Sequence, residues 1–121
     1  DAQFIYIKNH EIDIPFSKHT YKYGWHTTWE NKKIFYRSSY ELKFAKYLDK
    51  EKIKYDVEKL KIIYWDSQLK RQRIAIPDFY LPKKNKIVEI KSEWTYDKIN
   101  MNDKFKSYKN HGYDCEVIFL D

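Results

Sequence analysis

Glycine and proline are scarce in this chain, with two and three among 121 residues. So few flexible or turn-forming positions argue against a loop-rich or disordered protein. A single cysteine, Cys115, excludes an internal disulfide and a cysteine-based zinc cluster. It lies in the apolar run 115–120 and reads as a buried, inert thiol. No apolar stretch approaches the ~20 residues that span a bilayer, and no secretory leader is visible. The expectation is an intracellular, cytoplasmic protein with no membrane partner. The first residue is Asp1 and not methionine, which reads as processing, trimming or excision from a longer protein. The length suits one domain with a real core.

Aromatics and positive charge are abundant. Twelve tyrosines and four tryptophans accompany 24 Lys and Arg against 18 Asp and Glu, a net charge of +6. The surplus favours polyanionic partners. Basic residues among many rings are compatible with nucleic acid, where cations meet phosphate and rings stack on bases.

Segments 4–7 and 12–14 suit short strands, with Pro15 as a break. Residues 22–37 are aromatic and basic, with a turn at 30–33. From Ser38 the signals sharpen. Ser38-x-x-Glu41 is a capping box, opening a helix to about Glu51. Tyr40, Phe44, Tyr47 and Leu48 recur at helical spacing, with Ala45 close by. Residues 53–65 read as a strand, 66–68 as a turn, 71–81 as a second strand and 86–92 as a third. Thr95 or Asp97 caps a further helix, with Ile99, Met101 or Asn102, Phe105 and Tyr108 on one side and His111-Gly112 closing it. Residues 114–120 form a last strand. A strand–helix–strand connection places its strands in parallel. The expectation is an α/β domain with a mixed central sheet flanked by helices, preceded by an arm over residues 1–23.

The most informative stretch is 76–91. If Leu81 pairs with Lys86 across the turn 82–85, Asp78 falls opposite Glu89. Cross-strand neighbours lie roughly 4.5–5.5 Å apart at Cβ, and like charges there are destabilising. Strand alternation puts Glu89 and Lys91 on one side and Val88 and Ile90 on the other. Two carboxylates and an ammonium converge on an apolar sheet, with Ile74, Ile76, Val88 and Ile90 around them. That arrangement calls for a divalent cation. Mg2+ takes oxygen ligands, commonly one or two carboxylates plus waters and phosphate oxygens. Asp78 and Glu89 supply such donors, and the Ile90 carbonyl is a third. Mn2+ is able to substitute. Lys91 orients a water, takes its proton or stabilises charge on the phosphorane; the residues leave these roles open. Glu41 is either an auxiliary acid facing the patch or simply a member of the capping box.

Pro77-Asp78 followed by Glu89-Ile90-Lys91 resembles the Pro-Asp…(Asp/Glu)-x-Lys signature of the PD-(D/E)XK nuclease superfamily. The element order is similar to the αβββαβ core of that restriction-endonuclease-like fold. The run 38–48 with the two motif strands looks like the phage-type branch, which includes endonuclease I type Holliday-junction resolvases and nuclease domains of phage homing endonucleases. The likeness covers roughly residues 24–120 and implies a nuclease domain over 24–121. It implies a Mg2+-dependent endonuclease hydrolysing DNA phosphodiester bonds. Metal binding would fall to Asp78 and Glu89, catalytic support to Lys91 and an auxiliary acidic role to Glu41. The alternatives are a junction-resolving nuclease and a catalytically silent module that binds DNA or protein.

Lys70, Arg71 and Arg73, together with Lys83 and Lys84 in the next turn, suit phosphate contacts, which position without reading sequence. Since one site cuts one strand, a homodimer or higher oligomer is expected. His10, His19, His26 and His111 share no metal-ligand spacing. Gln72 reads as a strand-edge residue, with an approach to the Asp78 site as the alternative, and Glu93 has no assigned role. Trp25, Trp29 and Trp94 read as core or subunit-interface residues, with base stacking as the alternative.

Overall fold

A computed structural model describes residues 3–7, 23–92 and 96–120. The expected strand at 12–14, Pro15, His10, His19, Glu93, Trp94 and the Thr95 cap lie outside the described residues.

Among the described residues the fold is mixed α/β. The chain runs β1 (Gln3–Ile7), β2 (Gly24–Thr27), β3 (Lys33–Tyr36), α1 (Ser39–Lys50), β4 (Asp56–Val57), β5 (Ile62–Asp66), β6 (Arg71–Ala75), β7 (Phe79–Leu81), a 3-10 turn (Pro82–Lys84), β8 (Lys86–Lys91), α2 (Lys98–Asn110) and β9 (Asp114–Leu120). The central sheet has the order β1-β9-β8-β7-β4. The β1–β9 and β9–β8 pairs are parallel; β8–β7 and β7–β4 are antiparallel. Two antiparallel hairpins, β2–β3 and β5–β6, stand apart from it.

α1 begins where its sequence says it should. Ser38 is extended at the cap, and its side chain accepts the Glu41 N–H at 3.2 Å, satisfying one of the helix's orphan donors. Phe44, Ala45 and Leu48 are buried against Val88, Ile90, Ile118 and Leu120 on one face of the sheet. On the opposite face, Met101, Phe105 and Tyr108 of α2 pack on Ile87, Cys115, Val117 and Phe119. Asp97 caps α2 by accepting the Asn100 N–H at 3.0 Å. Ile99 departs from expectation: it is exposed, because the buried positions 101, 105 and 108 define a stripe that excludes it. Cys115 is buried, and burial pushes its thiol up to about 11, so it stays protonated and inert at neutral pH.

Two expected strands divide. Segment 53–65 splits into β4 and β5 where Glu58 takes φ 50°, a left-handed conformation that breaks a ladder. Segment 71–81 splits into β6 and β7 around Pro77, which has no N–H to give a neighbour. The pieces between those breaks form the β5–β6 hairpin. It packs Ile62, Tyr64 and Ala75 onto α2 and is tied there by the Ser107 hydroxyl to the Ile63 carbonyl and Asn100 Nδ2 to the Tyr64 hydroxyl at 3.0 Å. Ile74 and Ile76, expected beside the motif, are exposed on this hairpin and its exit; Val88 and Ile90 are buried as expected.

Candidate active site

The site forms where β7 and β8 part. The ladder pairs Leu81 with Lys86, Tyr80 with Ile87 and Phe79 with Val88. One step further, Asp78 meets Glu89, the register read from the sequence. Backbone pairing stops there, and side chains take over. Glu89 Oε1 accepts the Asp78 N–H at 3.0 Å, and Asp78 Oδ2 accepts the Ile90 N–H at 2.9 Å. The two acids thus close the fork reciprocally, each carboxylate standing in for the carbonyl a continued strand would offer. A residue's N–H and C=O leave a strand at the same edge, so the Ile90 carbonyl also faces the Asp78 side.

Glu89 is only 2% exposed. Its second oxygen accepts the buried Tyr108 hydroxyl at 3.0 Å. Burial, followed by the Glu89 charge beside it, pushes the Tyr108 phenol well above its usual value. The ring therefore remains a donor at any working pH. Burial also drives the Asp78 carboxyl well above the carboxylate range; the charges of Glu89 and Glu41 add to the rise, while Lys91 and the Ile90 N–H oppose it. Glu89, Lys91 and Glu41 therefore all lie within electrostatic reach of Asp78.

Glu41 approaches from the first turn of α1. Its carboxylate accepts the Arg37 N–H at 3.3 Å and the Ser38 hydroxyl at 3.5 Å. Burial raises its carboxyl, the Arg37 N–H lowers it, and the Glu58 charge raises it again. Glu41 serves the cap, and its charge reaches Asp78.

Two members of this cluster carried no sequence signal as site residues. Glu58 donates its backbone N–H to the Asp78 carbonyl at 3.2 Å, and both its carboxylate oxygens accept from Arg37 Nε at 3.2 Å. Tyr108 read as one more apolar position on a helix, because helical spacing reports that a ring is buried and not what its hydroxyl touches.

The expected phosphate contacts lie elsewhere. Lys83 and Lys84 are exposed in the turn at the other end of the β7–β8 hairpin. The three residues of β7 separate that turn from Asp78, roughly 10 Å of strand. Lys70 and Arg71 are exposed at the tip of β5–β6, and Arg73 pairs with Asp66 at 3.1 Å. The fold does not bring these five to the carboxylates. Gln72 is exposed beside Trp65. Trp25 and Trp29 are exposed, against the core reading. His26 and His111 each contact neighbouring groups of the fold.

Among the described residues, no three His, Cys, Asp or Glu side chains group closely enough to hold a metal ion by themselves. The donor set on offer is therefore two carboxylates and a carbonyl. It fits a hard cation that keeps several waters: the donors are all oxygen, and each carboxylate retains free lone-pair capacity beyond the bonds named above. In comparisons with family models, curated proteins and solved structures, nothing matches this chain. No helix among the described residues is long and apolar enough to cross a membrane.

Proposed function

We propose that the chain is a Mg2+-dependent DNA endonuclease of the PD-(D/E)XK type, with a restriction-endonuclease-like core and a phage or homing-element role. The single observation that supports this reading best is the reciprocal bonding of Asp78 and Glu89 at the strand fork, with Lys91 within reach of Asp78. Like charges placed together at a sheet fork are a cost to folding, and a divalent cation is the partner that offsets it.

Asp78, Glu89 and the Ile90 carbonyl would hold Mg2+, with Mn2+ able to replace it. Such a cation would polarise a phosphoryl oxygen and lower the pKa of a bound water. Tyr108 and the Asp78 N–H fix the two oxygens of Glu89, so that carboxylate is oriented before substrate arrives. Lys91 supplies an ammonium for the charge that develops on the phosphorane. Glu41 adds negative charge on the α1 side. Since one site cuts one strand, cutting both strands of a duplex takes two copies, and we propose a homodimer or higher oligomer. The exposed Lys70, Arg71, Lys83 and Lys84, with Arg73, would meet phosphates remote from the scissile bond.

The test incubates the chain with supercoiled plasmid, linear duplex and a four-way junction, in Mg2+ or in chelator. Mg2+-dependent nicking or cleavage is expected, lost in Lys91→Ala while DNA binding survives. Preference for the junction would favour a resolving nuclease. Binding to every substrate with cleavage of none would replace the enzyme with a binding module.

A further inference from the structure

The β2–β3 hairpin has two unlike faces. Ile34 packs on the core around Phe44, and His26 Nε2 lies 2.6 Å from Asp49 Oδ2. Trp29, in the hairpin turn, donates its backbone N–H to Asp49 at 3.0 Å and its indole N–H to the Ile53 carbonyl at 2.9 Å. These contacts hold the hairpin against α1. Strand alternation puts Trp25, Thr27, Lys33 and Phe35 on the other face, with Tyr23 and Arg37 just beyond the paired residues. There the rings of Trp25 and Tyr23 gather on Phe35 at centroid distances of 5.3 and 6.1 Å. Trp25 nonetheless remains 67% exposed and Tyr23 75% exposed. Rings so open contribute little to the core, and grouped apolar exposure of this kind marks a contact surface.

The surroundings identify the contact. Lys33 is exposed on the same face, and the Arg37 guanidinium stands 5.5 Å from the Phe35 ring centroid while also pairing with Glu58. Arg37 leads directly to the candidate active site. Its N–H bonds Glu41 and its side chain bonds Glu58, whose own N–H bonds the Asp78 carbonyl. The aromatic face is therefore joined through Arg37 to Glu41 and Glu58, and through Glu58 to Asp78.

We infer that this face is a stacking platform for the unpaired bases of single-stranded DNA, delivering the strand toward Asp78 and Glu89. The inference rests on the nuclease reading for its direction and deepens it by naming the substrate class, DNA with a single-stranded segment beside the bond cut. Every base has a π-face, so rings hold a strand without reading its sequence, and neighbouring cations hold its phosphates. A closed duplex keeps its bases stacked on one another and has none to present. Lys33 and Arg37 beside the rings complement the phosphates of such a strand.

The experiment measures binding of the full chain, in chelator, to labelled strands of about 15 nucleotides. One strand carries bases, one is an abasic backbone of equal length, one is blunt duplex and one is RNA. The base-bearing DNA strand is expected to bind roughly tenfold more tightly than the abasic one. Trp25→Ala should lower the first affinity to the second and leave the abasic value unchanged, whereas Trp25→Phe should retain most of the difference. The salt dependence should not change in Trp25→Ala, which removes no charge. Equal binding of base-bearing and abasic strands by the unaltered protein would overturn the platform, as would an unaffected Trp25→Ala. Tighter binding of RNA would overturn the assignment to DNA. A protein dimeric as isolated and monomeric as Trp25→Ala would give the face to a second copy instead. Because cleavage plays no part in these readings, base-dependent binding without Mg2+-dependent cutting would remove the nuclease reading and leave the platform standing. The reverse outcome would remove the platform alone.

Discussion

The Tyr108 hydroxyl, fully buried on α2, donates to Glu89 Oε2 at 3.0 Å and so ties the helix to the central acid of the strand fork. Tyr108→Phe keeps the packing and deletes the donor. The orphaned carboxylate oxygen should cost about 1–3 kcal/mol of stability, read from urea unfolding. Metal affinity or cleavage should fall roughly 10- to 100-fold, as for other partners that orient a ligating carboxylate. A variant that unfolds and cuts like the parent would reduce Tyr108 to a core ring.

Asp78→Asn keeps an acceptor for the Ile90 N–H and removes one of two facing charges. An acid whose folded pKa is raised penalises folding above its unfolded pKa, most fully above the folded one, and the penalty fades as pH falls back toward the unfolded value. In the absence of divalent metal, Asp78→Asn should therefore melt higher than the parent at neutral pH, and the gap should close as pH falls. Mg2+ should stabilise the parent by mass action but not the variant. Cleavage should fall by roughly a thousandfold or more, the several kcal/mol that a held cation supplies. Equal Mg2+ stabilisation of both proteins would place the metal elsewhere.

Asp66 behaves in the opposite sense. The Leu69 N–H, with Arg73 and the Gln68 N–H, holds its carboxyl below the usual carboxylate range despite its burial. A depressed carboxylate contributes stability above its unfolded pKa and loses it as pH falls through the folded value. Asp66→Asn should destabilise the β5–β6 hairpin at pH 7, with the difference from the parent vanishing in strong acid. A pH-independent difference in urea midpoint would contradict this.

Asp49 gathers His26, the Trp29 N–H and the Tyr55 hydroxyl, the last at 2.9 Å. Asp49→Ala strands all of them and should cost about 2–4 kcal/mol. Amide exchange should quicken across β2 and β3 before the central sheet opens. Uniform loss of protection through the whole fold would show that the hairpin is no separate unit.

Affinity for duplex DNA should fall steeply with salt. Replacing Lys83 and Lys84 together by alanine should weaken binding to all sequences alike and flatten the salt slope by about 0.9 for each phosphate no longer neutralised. An unchanged slope would free that turn from any role in DNA binding.

Much of this was legible in the chain, because much of it is local. The capping box places the start of α1 through a bond between residues three apart. The turn at 82–85 sets the register that brings Asp78 to Glu89, since strand pairing counts outward from a tight turn. Segment 86–120 reads as strand, helix and strand, and β8 and β9 are parallel as that connection requires. The division of two long apolar segments was not legible in this way. Alternation looks the same whether a strand joins the central sheet or folds back on its neighbour.

What the sequence by itself determined is therefore the two α-helices among the described residues, the fork register and the types of groups that meet there. Tertiary structure alone decided that residues 62–75 form a hairpin on α2, that Glu58 joins Arg37 behind Asp78, that Tyr108 holds Glu89, and that Trp25 stays in solvent. The physical reason is range. Periodicity and caps act over a turn or a tight hairpin, but which polar atom finds which partner, and which ring is left uncovered, depends on segments brought together only by packing.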